Sequence, residues 1–377
     1  MSFSSKCAAF LLLVLLAISI PAAAQSGPSA GCTPKFVPAQ GWQGADAAYS
    51  IPLPSGKVVW IFGDTLYGEQ RVAEAGKDPR MVRNTLGIST CENGQWKIDY
   101  VIRHNAEGKH FDFFPSPNPK HWYWALDGVY YNKELWVTLL CVRNTDKSVF
   151  ELGFEVCGAD LARVSGLDRD PQQWKVTISK LVPDGTRSYP SASTVISGKY
   201  LYIYSLVEFG TRPEALTRIP LNKLSQAQEN LEYLAADGTW KKGFDPKTAK
   251  TVMEPGASEM SVRYHADLKK WVAVMVDPFM FSDKVHFRTA DQMEGPWTPS
   301  EVIYRIPEMD KSRAGYDKDT YCYAGKEHPE FEGPGELLFT YTCNTMKPVK
   351  LLTETNIYFP QVVKMQMPGT SSVAPTK

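Results

Sequence analysis

The sequence predicts an all-β chain folded as a five-bladed β-propeller, and two observations carry that prediction. Past the N-terminal segment, short runs rich in Val, Ile, Tyr, Trp and Thr alternate with Gly, Pro, Asn and Asp, and helical patterns are scarce. One supersecondary unit also recurs five times: a polar or acidic residue, a short strand, a tight turn, then a strong apolar strand.

The units follow one another along the chain. They are Asp46 to Phe62 (DAAYSIPLPSGKVVWIF), Asp127 to Leu140 (DGVYYNKELWVTLL), Ser191 to Tyr204 (SASTVISGKYLYIY), Glu259 to Met275 (EMSVRYHADLKKWVAVM) and His328 to Tyr341 (HPEFEGPGELLFTY). Their starts are 81, 64, 68 and 69 residues apart. Compact propeller repeats run to ~40 to 50 residues, so long connecting loops are expected. In the second to fourth units a third strand follows, at Leu161 to Val164, Leu216 to Ile219 and Phe287 to Thr289. These carry Arg163, Arg218 and Arg288 and lead to Trp174, Trp240 and Trp297. A β-sandwich with extra strands is the alternative, but it does not predict units of near-equal length.

Residues 1–24 read as an export signal. Lys6 is the basic start, Ala8 to Ile20 the apolar stretch, and Ala22 to Ala24 an A-x-A site cut after Ala24. The stretch is too short for a good membrane span, and nothing downstream offers one. Ser29 to Cys32 lacks the Leu of a lipoprotein box and lies too far on. We therefore expect a secreted or periplasmic protein, with residues 25–370 as a single propeller domain and 371–377 as a disordered tail. Six cysteines remain. Spacing suggests Cys141 with Cys157, Cys322 with Cys343 and Cys32 with Cys91, although six cysteines allow about fifteen arrangements. No zinc pattern is present. The 41 basic and 41 acidic residues form no charged run, which excludes a nucleic-acid partner.

In a propeller the inner strands share one face, so residues at their starts converge. Here those are Asp46, Asp127, Ser191, Glu259 and His328 with Glu330. Carboxyls in one cleft raise one another's proton affinity and so separate an acid from a base, as glycoside hydrolysis requires. Any single one of them is an ordinary turn cap or Arg partner; their coincidence carries the reading. Asp64, at the end of the second strand of the first unit, returns to the same face. Sugar rings need flat apolar surface, offered by Phe111 to Pro115 and His121 to Trp124, read as a loop containing Trp122 and Trp124; the alternative for these rings is packing between blades. Tyr189, Tyr316, Tyr321 and Tyr323 are weaker candidates. His110, His121 and His265 read as structural, whereas His328 is kept for its position. No G-x-S-x-G elbow, P-loop, dinucleotide fingerprint or sialidase Asp-box occurs.

These residues also carry a resemblance. Trp60 to Thr65 (WIFGDT), Arg83-Asn84-Thr85, Trp124 to Gly128 (WALDG), Glu259 to Tyr264 (EMSVRY) with Trp271, Arg288 to Ala290 with Gly295 to Trp297, and His328-Pro329-Glu330 together resemble the domain of unknown function 4185 family. The likeness runs over nearly all of the chain past the signal. It implies a propeller similar to the arabinanases, and an exported activity like that of the endo-D-arabinanases of glycoside hydrolase family 183. Asp46 and Asp127 fall where such propellers place their base and a second aspartate. The acid of those enzymes, a Glu in the third blade, is replaced by Ser188 to Ser191 here, and Glu259 is the substitute.

The expectation is thus an endo-acting hydrolase of a furanose-containing, arabinan-like polysaccharide. Asp46 serves as base or nucleophile and Glu259 as general acid, with Asp127 and Asp64 tuning them. Trp122, Trp124, Tyr189, Arg83, Asn84, His328 and Glu330 contact substrate. No cofactor is required and no metal ligands are assigned, although a calcium ion is compatible with an acidic axis. The competing expectations are a non-catalytic carbohydrate-binding propeller and a structural envelope propeller.

Overall fold

The structure, a computed structural model, describes residues 29 and 31–370 apart from 75–77, 147–152, 187, 209 and 280. The expected signal segment and the tail at 371–377 lie outside the described residues.

Five antiparallel sheets succeed one another as blades, each built from consecutive strands. Blade 1 comprises Trp42–Pro52, Val58–Tyr67, Thr85–Glu92 and Gln95–Val101, with Met81–Val82 paired beside it. Blade 2 comprises His121–Tyr131, Glu134–Asn144, Phe154–Ser165 and Lys175–Lys180. Blade 3 has five strands: Tyr189–Ser197, Tyr200–Leu206, Glu214–Pro220, Glu232–Leu234 and Trp240–Lys242. Blade 4 comprises Ser261–His265, Lys270–Val276, Lys284–Ala290 and Glu301–Arg305. Blade 5 has three: Thr320–Glu327, Glu336–Thr345 and Pro360–Gln366. Among the described residues the one α-helix is Ala227–Asn230, and no helix is long and apolar enough to cross a membrane.

The strong apolar runs become the second strands, and their lack of alternation has a packing cause. Side chains of a strand point alternately to its two faces. In Val58–Tyr67, Val59 and Ile61 pack toward blade 2, whereas Val58, Trp60 and Phe62 pack toward blade 5. Val272, Val274 and Val276 of blade 4 likewise join the core with blade 5, and Ala273 and Met275 the core with blade 3. Each second strand is covered on both faces, so both sets must be apolar. Five such cores close the ring.

The seam between blades 1 and 5 shares no strand, so side chains hold it. The Lys326 ammonium donates to the Ala47 carbonyl. The Ser50 hydroxyl lies 2.6 Å from His328 Nδ1. Arg71 donates to the carbonyls of Leu351, Glu354 and Ile357 at 3.2, 2.9 and 2.8 Å. Disulfides join Cys32 to Cys91, Cys141 to Cys157 and Cys322 to Cys343, the three pairs that spacing suggested.

Two local expectations are corrected. The inner strand of blade 5 is Thr320–Glu327; His328 follows it, and Pro329–Phe331 is a 3-10 turn, because Pro329 has no N–H for the ladder. His121 to Trp124 open the inner strand of blade 2 rather than lying in a loop.

Candidate active site

At the mouth of the axis the inner strands do not pair regularly. Their ladders shift around Asp46, between Ala125 and Gly128, between Pro190 and Ser193, and between Tyr323 and Lys326. In blade 4 the ladder begins only at Ser261, leaving Glu259 two residues ahead of it. Such bulges re-aim side chains that a regular strand would commit to its two faces. Ala47, Ala48 and Ala324 adopt left-handed φ values of 65°, 61° and 60°. For residues with a Cβ that costs about 1 kcal/mol or more each, so strain concentrates where the carboxyls meet.

Asp46 and Asp64 are juxtaposed by Gly63: a Cβ there would lie 2.3 Å from Asp46 Oδ1. The Tyr323 hydroxyl donates to Asp46 Oδ2 at 2.6 Å, and the Tyr358 hydroxyl lies 3.3 Å from the same atom. Burial lifts the Asp46 carboxyl well above the ordinary range, the charges of Asp64 and Glu259 add to that, and Tyr323 and Lys326 oppose it. Asp64 is raised to about 6, again chiefly by burial, with Arg83 pulling the other way and Asp112 adding to the rise. Arg83 pairs with Asp64 Oδ2 at 3.3 Å and lies over the Trp122 ring, 4.7 Å from its centre.

Glu259 is raised by burial and lowered by Lys326, whose ammonium is 3.7 Å from Glu259 Oε1. Lys326 is fully buried, donates to the Ala47 and Ala324 carbonyls and lies 4.2 Å from the centre of the Tyr49 ring. Burial depresses its own proton affinity, against the pull of Glu259, Asp46 and Asp127. The pocket is partly open, since the side chains of Asp64 and Glu259 are 17% and 19% exposed. On its blade 5 side Tyr321 stacks on Tyr323, centres 5.5 Å apart, and the half-exposed Phe281 meets the Tyr321 edge.

The other expected site residues lie elsewhere. Asp127 is wholly buried. Its Oδ1 accepts from Arg263 at 3.1 Å and Gly128 N at 2.8 Å, and its Oδ2 accepts from both terminal nitrogens of Arg263 at 3.2 Å, Thr194 N at 2.7 Å and Ser193 Oγ at 3.1 Å. It ties blades 2, 3 and 4 together below the pocket. Asn84 is buried and clamps backbone, donating to the Tyr123 carbonyl at 2.9 Å and accepting from Phe114 N at 2.7 Å. Tyr189 is buried in the core between blades. His328 has no exposed surface; Ser50 and Thr340 occupy its two nitrogens at 2.6 and 2.8 Å, and burial holds it well below its usual range, hence neutral. Glu330 is buried as well. A side chain without exposed surface cannot meet a sugar, so Asn84, Tyr189, His328 and Glu330 are read as structural here. Trp124, by contrast, borders the pocket beside the Asp64 carboxyl and packs edge-on to Phe154, centres 5.0 Å apart, whereas Phe113 and Phe114 fill the core between blades 1 and 2.

Sequence reading missed Lys326 and Arg263. Both interrupt apolar inner strands (TYCYAGKE and SVRYH), and a charge that cannot face water must meet an opposite one. Lys326 lies on the inner strand Thr320–Glu327, ahead of His328 where the fifth repeat starts in the sequence. Chemically, three carboxyls of raised proton affinity, two of them beside the Lys326 ammonium and Asp64 next to Asp46, can hold a proton on one member while another is ionised.

Residues 35–366 match the profile of a domain of unknown function, DUF5005, where the motifs led us to expect the 4185 family. No curated protein matches the chain. Among solved structures, a candidate hydrolase from Bacteroides ovatus superposes with a TM-score of 0.69 at 19% identity, covering 87% of this chain and 86% of that one. A GH43_1 enzyme from Xanthomonas citri gives 0.45 at 9% identity over 87% and 88% of the two chains. An exo-1,5-α-L-arabinanase from a bovine ruminal metagenomic library gives 0.41 at 10%, over 88% and 95%. The first of these shares the fold.

Proposed function

The chain belongs to the DUF5005 family, and from that premise we propose that it is an exported glycoside hydrolase acting within a furanose-containing polysaccharide of the arabinan kind. The observation that carries this reading is the meeting of Asp46, Asp64 and Glu259 in one partly open pocket, with Lys326 between blades 4 and 1. The hydrolase description of the Bacteroides ovatus neighbour agrees with it. Three disulfides and the signal-like N-terminus support export.

Glycoside cleavage needs a proton given to the leaving oxygen and an ionised carboxylate facing the anomeric carbon or a water. The Tyr323 hydroxyl and the Lys326 ammonium partly offset the rise that burial, Asp64 and Glu259 give the Asp46 carboxyl, and Asp46, with those partners, is assigned as the base or nucleophile. Glu259, partly exposed at the mouth, is the acid. Asp64 raises the proton affinity of Asp46, while Arg83 restrains Asp64. Trp122 and Trp124 on one side and Tyr321 and Tyr323 on the other offer ring faces to the chain of sugars.

The test is incubation of the full chain with arabinans and other furanose polymers, followed by chromatography of the products. A ladder of oligosaccharides from an arabinan supports the reading. Retention of polymer without release would replace it with the carbohydrate-binding propeller.

A further inference from the structure

At the far end of the same inner strands lies a second cluster that the proposed hydrolysis does not use. His265 ends the inner strand of blade 4, six residues beyond Glu259 and so about 20 Å along an extended chain. Glu327 ends the inner strand of blade 5, and Glu332 caps the turn after it, accepting from Leu338 N at 2.8 Å. His265, Glu327 and Glu332 are 7%, 2% and 9% exposed, and one nitrogen or oxygen from each lies within 4.8 Å of the others.

Two further facts set this cluster apart from an ordinary acidic patch. Glu327 Oε1 meets His265 Nε2 at 2.5 Å, but Glu327 Oε2 has no hydrogen-bond partner, nor has Oε1 of the neighbouring, 4% exposed Glu330. Burying a carboxylate oxygen without a donor or a cation is costly. The charges do not balance either. Arg263, which Glu327 and Glu330 also face, is already paired with Asp127, and Asp127 faces Lys326 as well, so Glu327, Glu330 and Glu332 are left with His265, which Asp267 also approaches at 4.0 Å. Even with His265 charged, three acids share one base beyond the already paired Arg263.

We infer that His265, Glu327 and Glu332 bind one divalent cation, with Glu327 Oε2 as the open ligand atom. An imidazole with two carboxylates suits manganese or zinc, whose ligands converge at about 2.0 to 2.2 Å; calcium prefers six or more oxygens. The cation replaces the proton between His265 and Glu327 and clips blade 4 to blade 5. This inference does not depend on the hydrolase reading.

The full chain, stripped with EDTA and dialysed, is titrated with manganese, zinc or calcium chloride while heat of binding and thermal unfolding are followed. The expected result is one manganese or zinc ion per chain and a Tm higher by about 4 °C at a hundredfold excess over Kd. Glu332→Gln should lose both effects without altering polysaccharide retention. If none of the three ions binds, or if only calcium does, the inference falls, and in the former case the oxygens share a proton instead. If Glu332→Gln binds manganese or zinc as the unaltered chain does, the assignment of ligands falls. Should that variant not fold, the titration of the unaltered chain decides alone.

Discussion

The two ends of the propeller axis both gather buried carboxyls, but they differ in what stands beside them. At the mouth, Asp46, Asp64 and Glu259 face Tyr323, Arg83 and Lys326, and part of the cluster reaches solvent. At the closed end, Glu327, Glu330 and Glu332 face one imidazole and an Arg263 already paired with Asp127, reach almost no solvent, and in Glu327 and Glu330 keep an oxygen without a donor. Convergence of acids alone therefore does not define a catalytic site. Tyrosine, arginine and lysine partners beside partly exposed carboxyls suit proton transfer; carboxylate oxygens without donors in a sealed space suit a cation.

The largest effect should come from breaking the open end. Asp46→Asn and Glu259→Gln are each expected to lower the rate of oligosaccharide release by about 10³-fold or more, with polymer retention nearly unchanged. Glu330→Gln, at the closed end, should leave the rate within about threefold. Rates from reducing-end release and retention from affinity electrophoresis separate the two. If Glu330→Gln were as damaging as Asp46→Asn, the division between the ends would fail.

Next in size is the tie between the ends. Arg263→Gln leaves the buried Asp127 carboxylate without its counter-charge and should cost about 3 to 5 kcal/mol, measured by urea unfolding. The double variant with Asp127→Asn should regain much of that loss. Full activity per folded molecule in the double variant would show that Asp127 only builds the scaffold; a persistent loss of rate would give it a part in tuning Asp46 and Glu259.

A smaller, pH-dependent effect belongs to Asp64. Its carboxyl rises from 3.8 to about 6 on folding, so the folded chain binds that proton more tightly than the unfolded chain. The stability this supplies is complete below about pH 4 and lost by about pH 6. Asp64→Asn cannot lose it. The variant should therefore gain on the unaltered chain between pH 4 and 6, by at most about 3 kcal/mol. Calorimetry at several pH values tests the sign: a gap that narrows with rising pH contradicts it.

Much of the fold was legible because each second strand is packed on both faces, which leaves an unbroken apolar run in the sequence. The repeated spacing then counted the blades. That Asp46 and Glu259 meet in one pocket was expected from their place in that repeat. His328 misled because Pro329 resembles the start of a strand while its missing N–H in fact ends one. Lys326 and Arg263 were harder to see, since a buried charge is understood only with its partner, and Lys326 finds Ala47 279 residues away. Trp122 and Asn84 illustrate the remaining limit. Both lie in quoted stretches, yet Trp122 is stacked under Arg83 near the pocket and Asn84 clamps buried backbone.

The smallest expected effect lies at the rim of the open end. Phe281 is half exposed, meets the edge of Tyr321, and through the stacked Tyr323 leads to Asp46. An exposed ring contributes little to folding, so Phe281→Ala should leave Tm within about 1 °C. A ring that carries a sugar of a long substrate should matter to binding, by about 0.5 to 1.5 kcal/mol, or roughly 2- to 12-fold in KM for a polymer. A short oligosaccharide that ends before the rim should show no change, and kcat should hold for both. An equal rise in KM for short and long substrates would place the polymer on the Trp122 side alone, because only a site that extends past Tyr321 can distinguish substrates by length.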